Sequence, residues 1–105
     1  MKEILYYLGN TSFCLLVDES TKEAIARGVA ICNHNDQFVK REGRAKARGR
    51  AKQATIRKMN ISPILAKQKI ESWLGYKVWK GIDFYATFLP DMTEYEKELV
   101  ARAIK

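Results

Sequence analysis

The chain has 105 residues, 47% of them hydrophobic, two cysteines and a formal net charge of +7. That length and apolar content support one modest core, so residues 1–105 are expected to form a single domain, and two cysteines are too few for a disulfide scaffold. No window approaches the roughly 18 consecutive apolar residues of a membrane helix, and the opening MKEILYYLGN lacks a signal-peptide pattern, so a cytoplasmic protein is expected.

In chain order, Glu3 to Leu8 and Phe13 to Val17 are short apolar and aromatic runs separated by Gly9, Asn10, Thr11 and Ser12, which predicts a hairpin with a four-residue loop. After the polar turn Asp18 to Lys22, Ala24 to Asn33 reads as a third strand. Ile25, Val29 and Ile31 fall on one face, and Ala26, Gly28, Ala30 and Cys32 on the other, a small-residue face on which a helix could pack closely. Cys14 and Cys32 lie in apolar runs and are expected to be buried, reduced thiols.

Asn33, His34, Asn35 and Asp36 end the strand with side chains suited to capping a helix. A basic helix follows, interrupted at Met59, Asn60 and Ile61. Ser62 and Pro63 are a serine cap and a first-turn proline for a second helix through Ile64, Leu65, Ile70, Trp73 and Leu74 to a Gly75 stop. Tyr76 to Trp79 and Ile82 to Leu89, joined at Lys80 and Gly81, predict a second hairpin. Beyond Pro90, Thr93 with Glu96 makes a capping box for a last helix whose acids lie near its start and whose Arg102 and Lys105 lie near its end. The order βββααββα defines an α+β domain: an N-terminal antiparallel meander, a basic central helix, a short second helix, and a C-terminal hairpin and helix.

Charge is distributed very unevenly. The segment Lys40 to Lys58, KREGRAKARGRAKQATIRK, holds nine cations against the single acid Glu42, a net +8, while the rest of the chain sums to −1. On a helix, Arg41, Arg44, Arg48 and Lys52 form one stripe and Lys46, Arg50 and Arg57 another. Gly43, Ala47, Ala51 and Ala54 line one flank between them and Ala45 with Gly49 the other, so a neighbouring backbone or nucleic-acid strand could come close. The two glycines and the like charges at i, i+4 each weaken the helix, and a helix meant only for solvation would mix signs. The pattern therefore points to an anionic partner, attracted over a Debye length of about 8 Å.

Catalytic motifs are thin. His34 is the only histidine, CNHND offers no second metal ligand at usable spacing, and there is no Walker motif or G-x-G-x-x-G, so no enzyme, cofactor or metal is expected. Most aromatics are placed to fill the core. Tyr7 and Tyr85 are candidates for stacking on bases.

The run RGVAICNHNDQFVKREGRAKARGRA, residues 27–51, resembles a pattern in small phage and prophage proteins, in which a strand and a polar cap lead into a helix with spaced GR elements. Such short chains are similar in character to phage anti-defence proteins, among them anti-CRISPR inhibitors and sponges for cyclic-nucleotide signals. Many inhibitors of that kind are acidic mimics of nucleic acid, from which this basic helix departs. The resemblance implies a phage-encoded, non-enzymatic inhibitor in the host cytoplasm. Its basic helix would engage the phosphates of RNA or DNA in a defence nucleoprotein complex through Arg41, Arg44, Arg48 and Lys52, with Lys46, Arg50 and Arg57 as a second stripe. Two alternatives stand beside it: a sponge holding a cyclic nucleotide between Arg44, Arg48 and Tyr85 at a homo-oligomer interface, and an adaptor for an acidic protein surface.

Overall fold

The computed structural model describes residues 1–32, 37, 39–65, 67–68 and 81–104. Three strands open the chain: β1 (Lys2–Leu8), β2 (Thr11–Val17) and β3 (Ala24–Ile31). The helix α1 (Lys40–Arg57) follows, then the short β4 (Ile61–Pro63), β5 (Phe84–Phe88) and the helix α2 (Glu94–Ala103). The strands form one antiparallel sheet in the order β1-β2-β3-β5-β4, so the domain is α+β as the residue pattern predicts.

The first hairpin is tighter than expected. Leu8 pairs with Thr11, leaving only Gly9 and Asn10 in the turn, and Gly9 takes the positive φ of 57° that such a turn demands. Asn10 then ties the turn to the end of β3, because its backbone carbonyl accepts the Cys32 N–H at 2.9 Å and its side-chain amide donates to the Cys32 carbonyl. Regular pairing ends at Ile31, and Cys32 is only half-buried, unlike the expectation for both thiols. Cys14 is fully buried, and burial, reinforced by the nearby Glu3 carboxylate, pushes its thiol up to about 12.

The alternation read from β3 decides the layering. Ala26 and Ala30 face α1 together with Cys14, Leu16 and Ala86, and Ala47, Ala51 and Ala54 of the helix meet them. At Gly28 the helix backbone comes so close that a Cβ would lie 1.9 Å from the Ala47 carbonyl oxygen. On the opposite face, Tyr6, Phe13, Leu15, Val17 and Val29 pack beneath α2 through Leu99 and Val100. Covered from both sides, β2 is buried at all seven positions. The single irregularity is a shift in register between Leu16 and Val17 opposite Ile25.

That second face also buries Arg27 and Glu96, at 1% and 0% exposure. The Arg27 guanidinium donates through Nε to Glu96 Oε2 at 2.9 Å and through Nη2 to Glu96 Oε1, with a further bond from Nη2 to the Asp91 carbonyl at 2.8 Å. Tyr6 adds its hydroxyl to Glu96 Oε2 at 2.8 Å, and the predicted capping box adds the Thr93 N–H to Oε1 at 3.0 Å. Glu96 thus begins α2 and fastens it to the sheet. Arg27 and Tyr6 supply the donors that offset the cost of burying its charge.

Two boundaries differ from the sequence pattern. Ser62 and Pro63 do not start a helix: Ile61 pairs with Ala86 and Pro63 with Phe84 as an outer strand, where a missing proline N–H is tolerated, and Ser62 sits at a φ of 55°. Beyond β4, the described residues Lys67 and Gln68 are helical. The polar tetrad Asn33 to Asp36, with His34, lies outside the described residues, as do Ile70, Trp73, Leu74, Gly75 and the strand expected over Tyr76 to Trp79. The helix α1 itself starts after Val39, an extended residue with no side-chain cap. It ends at Lys58 in the left-handed conformation, matching the predicted interruption.

Candidate nucleic-acid interface

Ala47, Ala51 and Ala54 are the buried line of α1, so the close approach that small residues allow is used by the protein's own sheet. The cationic stripes run along the two shoulders of the helix. Between them, Glu42, Ala45, Gly49 and Ile56 form the outward crown, and Ile56 is 79% exposed. A Cβ on Gly49 would meet nothing within 4 Å. The crown is low at Ala45 and Gly49, and the cations stand on either side of it.

The shoulder beside β1 carries Arg41, Arg44, Arg48 and Lys52. Arg48 is held there by Glu3, with Nε donating to Oε1 at 2.7 Å and Nη2 at 2.6 Å from the same oxygen. That hydrogen bond and the carboxylate charge raise the Arg48 pKa further above its usual value. Lys40, at the head of α1, places its Nζ 5.1 Å from the centre of the Tyr7 ring. Arg41 and Lys52 are exposed and Arg44 is half-buried, and none of the three makes an ion pair among the described residues.

On the shoulder beside β5 lie Lys46, Arg50, Gln53 and Arg57. The β3–β5 pairing stops at Gly28 and Ala86, and Arg50 Nη1 donates to the next β3 carbonyl, that of Val29, at 2.5 Å. Its guanidinium carbon lies 4.6 Å from the centre of the Tyr85 ring. Desolvation by these neighbours lowers the Arg50 pKa, an effect opposed by Tyr85, but an arginine remains charged at any physiological pH. A pocket of about 330 Å³ opens here, lined by Arg50, Gln53, Ile61, Ser62, Tyr85 and Ala86. Lys46 and Arg57 are exposed on the same stripe, and neither makes an ion pair among the described residues.

The structure therefore divides the expected site residues. Arg48 and Arg50 are anchored by the fold, while Arg41, Arg44, Lys46, Lys52 and Arg57 make no ion pair among the described residues. Tyr7 and Tyr85 are half-buried, each beneath a cation of the basic segment. Arg48 and Tyr85 are on opposite shoulders, separated by the widths of three strand spacings, about 14 Å. One chain does not bring them together around a cyclic nucleotide. Of the pocket residues, Gln53 shares the helical phase of Lys46, Arg50 and Arg57 and was legible as part of that stripe. Ile61 and Ser62 join it only because β4 is a strand.

Among the described residues no three histidine, cysteine or acidic side chains cluster as a metal site would, and no helix is long and apolar enough to cross a membrane. Compared with known proteins, the chain matches no family model and has no significant match among curated proteins or solved structures.

Proposed function

We propose that this is a non-enzymatic binding protein that engages the phosphates of RNA or DNA through α1, in keeping with a role in a phage-encoded inhibitor of a host nucleoprotein complex. The observation that carries the reading is the set Arg41, Arg44, Lys46, Lys52 and Arg57 on the two shoulders of α1, none of which makes an ion pair among the described residues. The arginines can grip a phosphate with paired N–H groups and the lysines act as point charges. The low crown at Ala45 and Gly49 lets a backbone lie close to the helix axis, between the two rows of cations.

Fluorescence anisotropy of a labelled oligonucleotide, titrated at several salt concentrations, tests the proposal. Five phosphate contacts predict a log–log slope of affinity against salt of about −3 to −5, from roughly 0.7 to 0.9 counterions released per contact. Replacing Arg41, Arg44 and Lys52 by alanine should flatten the slope by about 2 to 3 and leave the fold intact, since their side chains are not in the core. A flat salt dependence in the wild type, or no binding at low salt, refutes it.

A further inference from the structure

The pocket on the β5 shoulder has features that a phosphate track alone does not require. Its lining combines the apolar Ile61 and Ala86 with Tyr85, whose ring has the Arg50 guanidinium against it. Arg50 is not a loose surface cation there. The bond to the Val29 carbonyl and the aromatic contact hold it half-buried, and among the described residues that carbonyl is its only hydrogen-bond acceptor. Most of its five N–H groups thus remain for a ligand. Gln53 and Ser62, both exposed, bring an amide and a hydroxyl to the lining.

A flat surface of delocalised charge beside an aromatic ring, together with apolar side chains and mixed donors and acceptors in one lining, suits a planar heterocycle with polar edges. The volume of about 330 Å³ falls at the small end of the range for small-molecule sites. Lys46 and Arg57, eleven residues apart on the same stripe, lie about 16 Å apart along the helix axis and bracket the recess. A strand whose phosphates follow those two lysine and arginine side chains would carry a base past the opening between them.

We infer that this pocket receives an unpaired nucleobase, so that the nucleic acid bound by α1 is single-stranded at this point. The inference rests on the phosphate-binding reading and adds the class of nucleic acid to it. In a duplex the base faces are stacked and the Watson–Crick edges paired in the interior, so no base can enter a recess between a helix and a sheet edge without leaving the stack. A base that has left the stack can cover the Arg50 guanidinium, with Gln53 and Ser62 meeting its edge.

The test compares three labelled probes at one low salt concentration: a twelve-nucleotide oligodeoxyadenylate, a strand of the same length built of abasic sites, and a twelve-base-pair duplex. The abasic strand has the phosphates without the bases. Wild-type protein should bind the oligodeoxyadenylate at least about tenfold more tightly than the abasic strand, the size expected of base stacking on such a platform, and more tightly than the duplex. Arg50→Lys, which keeps the charge but loses the planar group, and Gln53→Ala, at an exposed helical position, should each reduce that tenfold preference to below about threefold. Their salt slopes should stay within one unit of wild type, and circular dichroism should show normal melting. Equal binding of the abasic and adenine strands, or tighter binding of the duplex, overturns the inference and leaves the phosphate reading standing. No binding of any probe overturns both. A wild-type preference in both variants removes the base from this pocket, and displacement of the strand by micromolar adenosine monophosphate would make the occupant a free nucleotide rather than part of a polymer.

Discussion

Alanine in place of glycine should have opposite effects at Gly28 and Gly49, and the contrast tests how α1 is mounted. At Gly28 the new methyl group would lie 1.9 Å from the Ala47 carbonyl oxygen, 2.5 Å from the Ala51 nitrogen and 2.9 Å from the Ala47 carbonyl carbon. All three are backbone atoms, so no side-chain rotation relieves the clash. Restoring ordinary contact at about 3.4 Å requires the helix to lift by roughly 1.5 Å, which loosens Ala47, Ala51 and Ala54 from the sheet together. Overpacking of a core commonly costs 1–3 kcal/mol, and a collision between two pieces of regular backbone should reach about 3 kcal/mol or more. Against a total stability of about 5–15 kcal/mol that is a large share, and it corresponds to a melting temperature lower by about 12–24 °C. At Gly49 a methyl group meets nothing within 4 Å, and helix propensity alone should stabilise by about 0.5–1 kcal/mol, raising the midpoint by about 2–8 °C. Thermal and urea unfolding followed by circular dichroism measure both. A Gly28→Ala protein that melts within a degree or two of wild type would refute the close seating of α1 on β3.

The buried pair gives a second test: Arg27→Met leaves the Glu96 carboxylate unpaired and should cost about 3–5 kcal/mol in urea unfolding, whereas Arg27→Met with Glu96→Gln should recover more than half, and simple additivity would disprove the coupling. Burial and the Glu96 carboxylate hold the Tyr6 hydroxyl well above its usual value of 10.0, and Cys14 is raised from 9.0 to about 12. Both groups fold in their neutral form with a raised pKa, so their contribution is complete below their unfolded values and is lost as pH rises above 9 to 10. Each should steepen the alkaline decline by up to about 1.4 kcal/mol per pH unit, and Cys14→Ala and Tyr6→Phe should each flatten it in a pH series of urea midpoints. Ser12 buries a hydroxyl with no hydrogen-bond partner among the described residues, so Ser12→Ala should be neutral or stabilise by about 1 kcal/mol, and a loss beyond 1 kcal/mol would mean that the hydroxyl has a partner.

The local signals in the chain were sufficient for much of the fold, because each acts over a few residues. Alternation placed the faces of β3, the Thr93 and Glu96 spacing identified the cap of α2, and the run from Lys40 to Lys58 was legible as a helix with two cationic stripes. Ser62 and Pro63 carried an equally good local signal for a helix start and became a strand, since pairing of Ile61 with Ala86 and Pro63 with Phe84 satisfies that backbone from a distant part of the chain. The same limit applies to the site. Sequence determined the amount and the phase of the positive charge, which depend only on residue type and helical rise. Only the tertiary structure decided which cations are anchored: Glu3 lies 45 residues from Arg48, and Val29 and Tyr85 lie 21 and 35 residues from Arg50, so contacts across the sheet, with no signature in local spacing, hold two of the seven, and the other five make no ion pair among the described residues.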